Sequence, residues 1–254
     1  MCLIVFNWSP GEHDWLTVSA NRDEFLHRPT QPLSRWPGDA RIVAGKDLQQ
    51  GGTWLGANRH GQFAFLTNVR APGAGPATPE SRGLLVREYL ERPQPAADFA
   101  AQLLSRCQAF APFNLIVGSP QQMLWITNYP QPQQSIIAPG IHTLSNAALD
   151  TPWPKSQLAQ QQLQQWLQHQ EQNPGQLADL INSRATCADQ ELPDTGIPLD
   201  WERMLSAQLI VSPDYGTRSS TAILGRGHHL TLCELSRDAG GGISACHQET
   251  LTFT

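Results

Sequence analysis

Leu3-Ile4-Val5-Phe6-Asn7-Trp8, then Ser9-Pro10-Gly11-Glu12, then Trp15-Leu16-Thr17-Val18-Ser19-Ala20 open the chain. The first segment is a short continuous apolar run, the pattern of a buried strand. The second is turn chemistry, and the third alternates and is rich in strand formers. The first twenty residues therefore read as a β-hairpin. Directly after it stand Asn21-Arg22-Asp23-Glu24, four polar residues at the end of an apolar strand.

Outward from the hairpin, further strands are expected at Arg41–Ala44, Thr53–Gly56, Gln62–Asn68, Asn114–Gly118 and Met123–Asn128. Later strands are expected at Gln208–Ser212, Thr217–Leu224, His229–Leu235 and Ile243–Phe253, with Gly240-Gly241-Gly242 as a hairpin turn. Neighbouring strands separated by turn signals predict mostly antiparallel sheets. Helical spacing predicts helices over Gly83–Arg92 (with Ser81 as cap), Ala96–Phe110, Lys155–Gln170 and Leu177–Arg184. Strands, helices, strands, helices and strands again predict an α+β fold with stacked sheets and outer helices, as one domain over residues 1–254.

Composition narrows the function. The 254 residues carry a net charge of −5, with Lys46 and Lys155 the only lysines among 17 basic residues. That balance argues against a general nucleic-acid binder and against a polybasic membrane-surface protein. No run of 18 apolar residues predicts a transmembrane helix, and the N-terminus lacks the positive region of a secretory signal. Cys2, Cys107, Cys187, Cys233 and Cys246 are odd in number and have no CxxC spacing, so neither structural disulfides nor a cysteine zinc site is expected. A reducing, cytoplasmic setting is the default. The eight histidines form no HExxH-type metal set.

Cys2 is the sharpest chemical clue. Removal of an initiator Met before a small residue would leave a Cys with a free α-amine. Such an amine has a pKa near 7.7–8.0 and can take the proton of its own thiol. Arg22 is a candidate to steady the thiolate or a substrate carboxylate, and Asp23 to hold the protonated amine. Asn68, closing Thr67-Asn68, and Asn146, in Leu144-Ser145-Asn146-Ala147, are candidate oxyanion donors. Arg218, in Gly216-Thr217-Arg218-Ser219-Ser220-Thr221, can bind a carboxylate or lower the thiol pKa.

Cys2, Asn21-Arg22-Asp23-Glu24, Gly51-Gly52-Thr53-Trp54-Leu55-Gly56, Leu66-Thr67-Asn68-Val69-Arg70, Leu144-Ser145-Asn146, Trp153-Pro154-Lys155 and Gly216–Thr221 together resemble the NRDE family, whose animal members are called transport and Golgi organization proteins. That family resembles the N-terminal nucleophile hydrolases. The resemblance implies a four-layer αββα sandwich of two mostly antiparallel sheets. It also implies an amidohydrolase acting on non-peptide C–N bonds without a cofactor. Cys2 then matches the nucleophile, Asp23 the amine partner, Asn68 and Asn146 the asparagines, and Arg218 the late arginine. Arg22 stands next to Asp23, whereas those hydrolases place their arginine three residues before the aspartate. The alternative is a non-catalytic carrier of haem or an acyl lipid in the same pocket, with His142 as the natural axial ligand of haem. Either way the partner is a small molecule, and the oligomeric state is not expressed in the sequence.

Overall fold

The computed structural model describes residues 2–37, 39–169 and 173–253. The opening hairpin forms as β1 (Cys2–Trp8) and β2 (Asp14–Phe25), with Gly11 taking a φ of 89° in its turn. There follow β3 (Thr30–Trp36), β4 (Asp39–Asp47), β5 (Leu55–Asn58) and β6 (Phe63–Asn68). Two helices come next, α1 (Gly83–Glu91) and α2 (Ala96–Leu104). The chain then returns to strands: β7 (Phe113–Ser119), β8 (Gln122–Thr127), β9 (Gln133–Ile136) and β10 (Gly140–Leu144). Helices α3 (Pro154–Trp166), α4 (Pro174–Ala178) and α5 (Leu199–Leu205) lead to the last three strands. These are β11 (Tyr215–Arg226), β12 (His229–Arg237) and β13 (Ile243–Thr252).

The strands make two sheets with orders β10-β1-β2-β11-β12-β13 and β3-β4-β5-β6-β7-β8-β9. Every pairing between these strands is antiparallel. Side chains alternate faces along a strand, so the central strands bury one parity between the sheets. Ile4, Phe6 and Trp8, with Leu16, Val18 and Ala20, meet Val43, Ala57, Phe63 and Phe65 in that inner layer. The other parity packs helices. Leu3 and Val5 lie against Ala159, Leu163 and Leu177, while Ala64 and Leu115 lie against Leu85, Tyr89 and Phe99. The expected αββα order of layers is what the packing shows.

Five expectations about single elements need correction. The strand expected over Gln208–Ser212 does not form, and Val211 makes only an isolated bridge to Gly216. Ile210 instead packs in a small cluster with Leu205 and Tyr215, and the N–H groups of Gln208 and Leu209 donate to the Ser183 carbonyl. The helix expected over Leu177–Arg184 starts earlier, where Asn173 caps it by accepting from Gly175 and Gln176, and it stops at Ala178. Beyond that point tertiary partners take the backbone, with the Ile181 carbonyl accepting from Asn21. The helix over Ala96–Phe110 ends at Leu104, with a 3-10 turn at Cys107–Ala109. Arg82, not Ser81, is the N-cap residue of α1, and its side chain makes no cap bond. The helix expected over Lys155–Gln170 ends at Trp166, and Gln170 lies outside the described residues.

Candidate active site

Continue the inner parity of β1 and β2 toward one end of the sandwich and its chemistry changes. Ile4 gives way to Cys2, and Ala20 gives way to Arg22 and Glu24. Cys2 and Arg22 face each other directly in the β1–β2 register. The sheets enclose an open cleft there, with about 240 Å³ of space, lined by Cys2, Arg22, Asp23 and Glu24 from one sheet. Asp47, Trp54, Asn68 and Arg82 contribute from the other side.

Cys2 is half-buried. Burial pushes its thiol pKa up and Asp23 adds to the rise, while Arg22 and the backbone N–H of Asp23, which bonds to the sulfur, pull it down. The thiolate is thus opposed by desolvation and supported by a facing guanidinium. Arg22 is almost wholly buried, lies over the Trp54 ring at 4.3 Å, and has Glu24 at 3.9 Å. Arg28 is held by Asp47 through two contacts of 3.3 and 2.7 Å.

Asp23 is buried, and burial pushes its carboxyl pKa up. Its Oδ1 accepts from Thr217 Oγ1 at 2.7 Å, and Thr217 Oγ1 in turn accepts from the Ile210 N–H. Asp23 was expected to hold the α-amine that Cys2 gains on loss of Met1, and Met1 lies outside the described residues. Asn68 lines the cleft, and its carboxamide makes no hydrogen bond among the described residues. Asn146 stands one layer back, where it donates from Nδ2 to the Asn68 carbonyl at 2.8 Å. Ser145 beside it donates to the Cys2 carbonyl. Arg218 does not line the cleft. It braces the loop after β2 by donating to the carbonyls of Phe25 and Arg28.

His142 lies elsewhere. It sits on β10 across from Phe6, stacked on that ring. Its Nδ1 meets Asp150 at 2.7 Å and its Nε2 the Ala138 carbonyl at 2.9 Å. Both partners are acceptors, and the Asp150 carboxylate holds the imidazole pKa above its usual value. Neither nitrogen is open to an iron, and no histidine is among the residues lining the Cys2 cleft. The residues present do not fit a haem ligated by His142.

Two residues absent from the sequence reading of the site belong near it. Lys155 is buried, with Nζ donating to the Leu205 carbonyl. Burial lowers its pKa to about 8 while Asp23 counteracts that shift. Arg82 reaches the cleft because α1 starts against the Gly51–Thr53 loop. A Cβ on Gly52 would sit 2.4 Å from the Gly83 carbonyl carbon, so glycine permits that approach. The Thr53 N–H then donates to the Gly83 carbonyl at 3.1 Å. The signal for this was present as Gly51-Gly52-Thr53 and Ser81-Arg82-Gly83, but only the three-dimensional approach joins them.

The family model described as Transport and Golgi organisation 2 matches residues 1–238. A Bos taurus relative described as Transport and Golgi organization protein 2 homolog is 30% identical over 262 residues, covering 93% of each chain. The Homo sapiens relative of that description is 30% identical over 261 residues, with 93% of each chain covered. Among solved structures, a Caenorhabditis elegans N-acylethanolamine-hydrolyzing acid amidase ortholog aligns with a TM-score of 0.46 and 12% identity, covering 89% of this chain and 93% of that one. The C2A mutant of a Clostridium perfringens conjugated bile acid hydrolase aligns with a TM-score of 0.46 and 7% identity, covering 99% and 98%.

Proposed function

We propose that this chain, which belongs to the Transport and Golgi organisation 2 family, is an amidohydrolase that uses Cys2 as an N-terminal nucleophile on a non-peptide C–N bond. The observation carrying the proposal is the placement of a half-buried thiol opposite Arg22, in one cleft with the Asn68 carboxamide, which makes no hydrogen bond among the described residues.

The chemistry follows from that placement. Loss of Met1 frees the α-amine of Cys2, which takes the thiol proton. The sulfur bonds to the amide carbon, and the carbonyl oxygen becomes an oxyanion. The Asn68 N–H groups donate to it, and such a donor is worth about a hundredfold or more in rate. Asn146 holds Asn68 in place through its carbonyl. The C–N bond then breaks, the ammonium returns its proton to the leaving amine, and a thioester remains on Cys2. Water adds to the thioester, releasing the acid and restoring the thiol. Asp23 stabilises the ammonium that forms in between, and Thr217 keeps its carboxylate oriented.

Intact mass first establishes that the purified chain has lost Met1. A panel of acyl amides is then offered to it, with two readouts: amine release and an acyl mass increment on the Cys2 peptide. Both are expected with at least one amide, and Cys2→Ala removes both. A Met1-free chain that releases no amine and forms no adduct across the panel refutes hydrolysis.

A further inference from the structure

Three guanidiniums line the cleft, and they are not equivalent. Arg28 is clamped by Asp47. Arg22 lies on Trp54 and shares Glu24 with Arg28. Arg82 has one hydrogen bond among the described residues, from Nη1 to the Pro112 carbonyl at 2.9 Å, and no carboxylate partner. Arg82 lines the cleft whose other wall carries the nucleophile. Burial lowers the pKa of this guanidinium, while the Cys2 sulfur and the Glu24 carboxylate act on it in the opposite sense.

We propose that Arg82 is a specificity residue, binding a carboxylate on the substrate so that the amide presented to Cys2 belongs to an anionic molecule. The inference rests on the hydrolase reading for its substrate, but not for the anion site itself. A planar fork with free donors suits a carboxylate, and its neighbour Pro112 fixes one edge of it. Arg82 is not a catalytic residue in this scheme. It holds the end of the substrate that does not react.

Alkylation of Cys2 tests the site without any hydrolysis. Iodoacetate and iodoacetamide differ by one carboxylate. Each reacts by the same displacement, in which the S–C bond forms, iodide leaves and the thiol proton goes to buffer. Rates are read at Cys2 by peptide mass. In the unaltered protein the iodoacetate reaction is expected to saturate with reagent concentration, while the iodoacetamide reaction stays linear. In Arg82→Gln the saturation is lost and the iodoacetate-to-iodoacetamide rate ratio falls about tenfold, the worth of a charge-assisted contact. Arg82→Lys keeps the charge without the fork and restores only part of the ratio. An Arg82→Gln protein with unchanged unfolding midpoint, unchanged saturation and unchanged ratio overturns the proposal. If that variant does not fold, an Arg82→Lys protein with the original ratio and saturation overturns it instead.

The substrate arm uses an N-acylglycine, its neutral primary amide, and a monoamide of a dicarboxylic acid. An Arg82-dependent rise in KM of about tenfold with kcat nearly unchanged, for one carboxylate-bearing amide and not for the neutral one, supports the proposal. It also tells which side of the scissile bond carries the anion. Equal effects on the neutral and charged amides overturn it. If no amide is cleaved by the unaltered protein, the hydrolase reading fails while the alkylation result still judges Arg82.

Discussion

The quartet Asn21–Glu24 divides into one residue turned away and three that line the cleft. Asn21 points away from the cleft, where its Nδ2 donates to the carbonyls of Ile181 and Gln208 and its Oδ1 accepts from Ser220. Asn21→Ala is expected to destabilise the fold by roughly 2–3 kcal/mol, because it strips partners from buried polar groups. The Cys2 alkylation profile should stay unchanged in the folded fraction. Urea titration and alkylation kinetics on one preparation check both halves. Arg22→Gln should act the other way. Arg22 lowers the Cys2 pKa, so its removal moves the alkylation pH profile toward higher pH. A profile that stays in place would separate Arg22 from the thiol. The quartet is conspicuous in the sequence, and so is Cys2. The division of roles is not, because it requires knowing that β2 runs unbroken through the quartet to Phe25. Asn68 and Asn146 read alike as asparagines after strands, and only tertiary contacts make one face the cleft and the other hold it.

At the level of elements, the strongly patterned pieces were legible and the tertiary ones were not. The β1–β2 hairpin, α1 and the β11–β13 meander follow their own periodicity. By contrast β9 is exposed along its whole length, and β3 contains Pro32 at the edge of its sheet. Neither carries an alternation to read. The junction of α1 with the Gly51–Thr53 loop decides where Arg82 stands, and it depends on two glycines from separate segments. A Cβ on Gly52 would meet the Gly83 carbonyl carbon at 2.4 Å, its oxygen at 2.7 Å and the Leu84 nitrogen at 2.8 Å. All three are backbone atoms, so the start of α1 must move. Gly52→Ala is expected to cost about 1–3 kcal/mol through overpacking. The same variant should lower the iodoacetate preference of Cys2 without changing any charge. Urea midpoints with competitive alkylation measure both, and a preference that survives the substitution would detach Arg82's position from this contact.

At the scale of the whole molecule, one carboxyl group ties the two sheets together. Glu234 on β12 shares the inner parity of Leu230 and Leu232 and is buried among them. Its Oε1 accepts from the Leu33 N–H of β3, in the opposite sheet, at 2.9 Å. Burial raises its pKa from 4.5 to about 7, against the pull of the Leu33 N–H, Arg22, and the Ser219 and Thr221 hydroxyls. Between those two pH values the folded chain keeps a proton that the unfolded chain has lost. Stability therefore falls as pH rises through that window, and the full penalty, roughly 3 kcal/mol, stands above it. Glu234→Gln retains the acceptor for Leu33, and the two hydroxyls can turn to accept from its amide. The variant should be more stable than the unaltered protein at pH 8 and close to it at pH 5. Other titrating groups are common to both proteins. The difference between their stability curves therefore isolates Glu234. Thermal or urea unfolding at intervals from pH 5 to 8 gives that difference. Two parallel curves would mean that Glu234 stays ionised between the sheets. The Arg22 guanidinium facing Cys2 would then be shared with a second permanent charge.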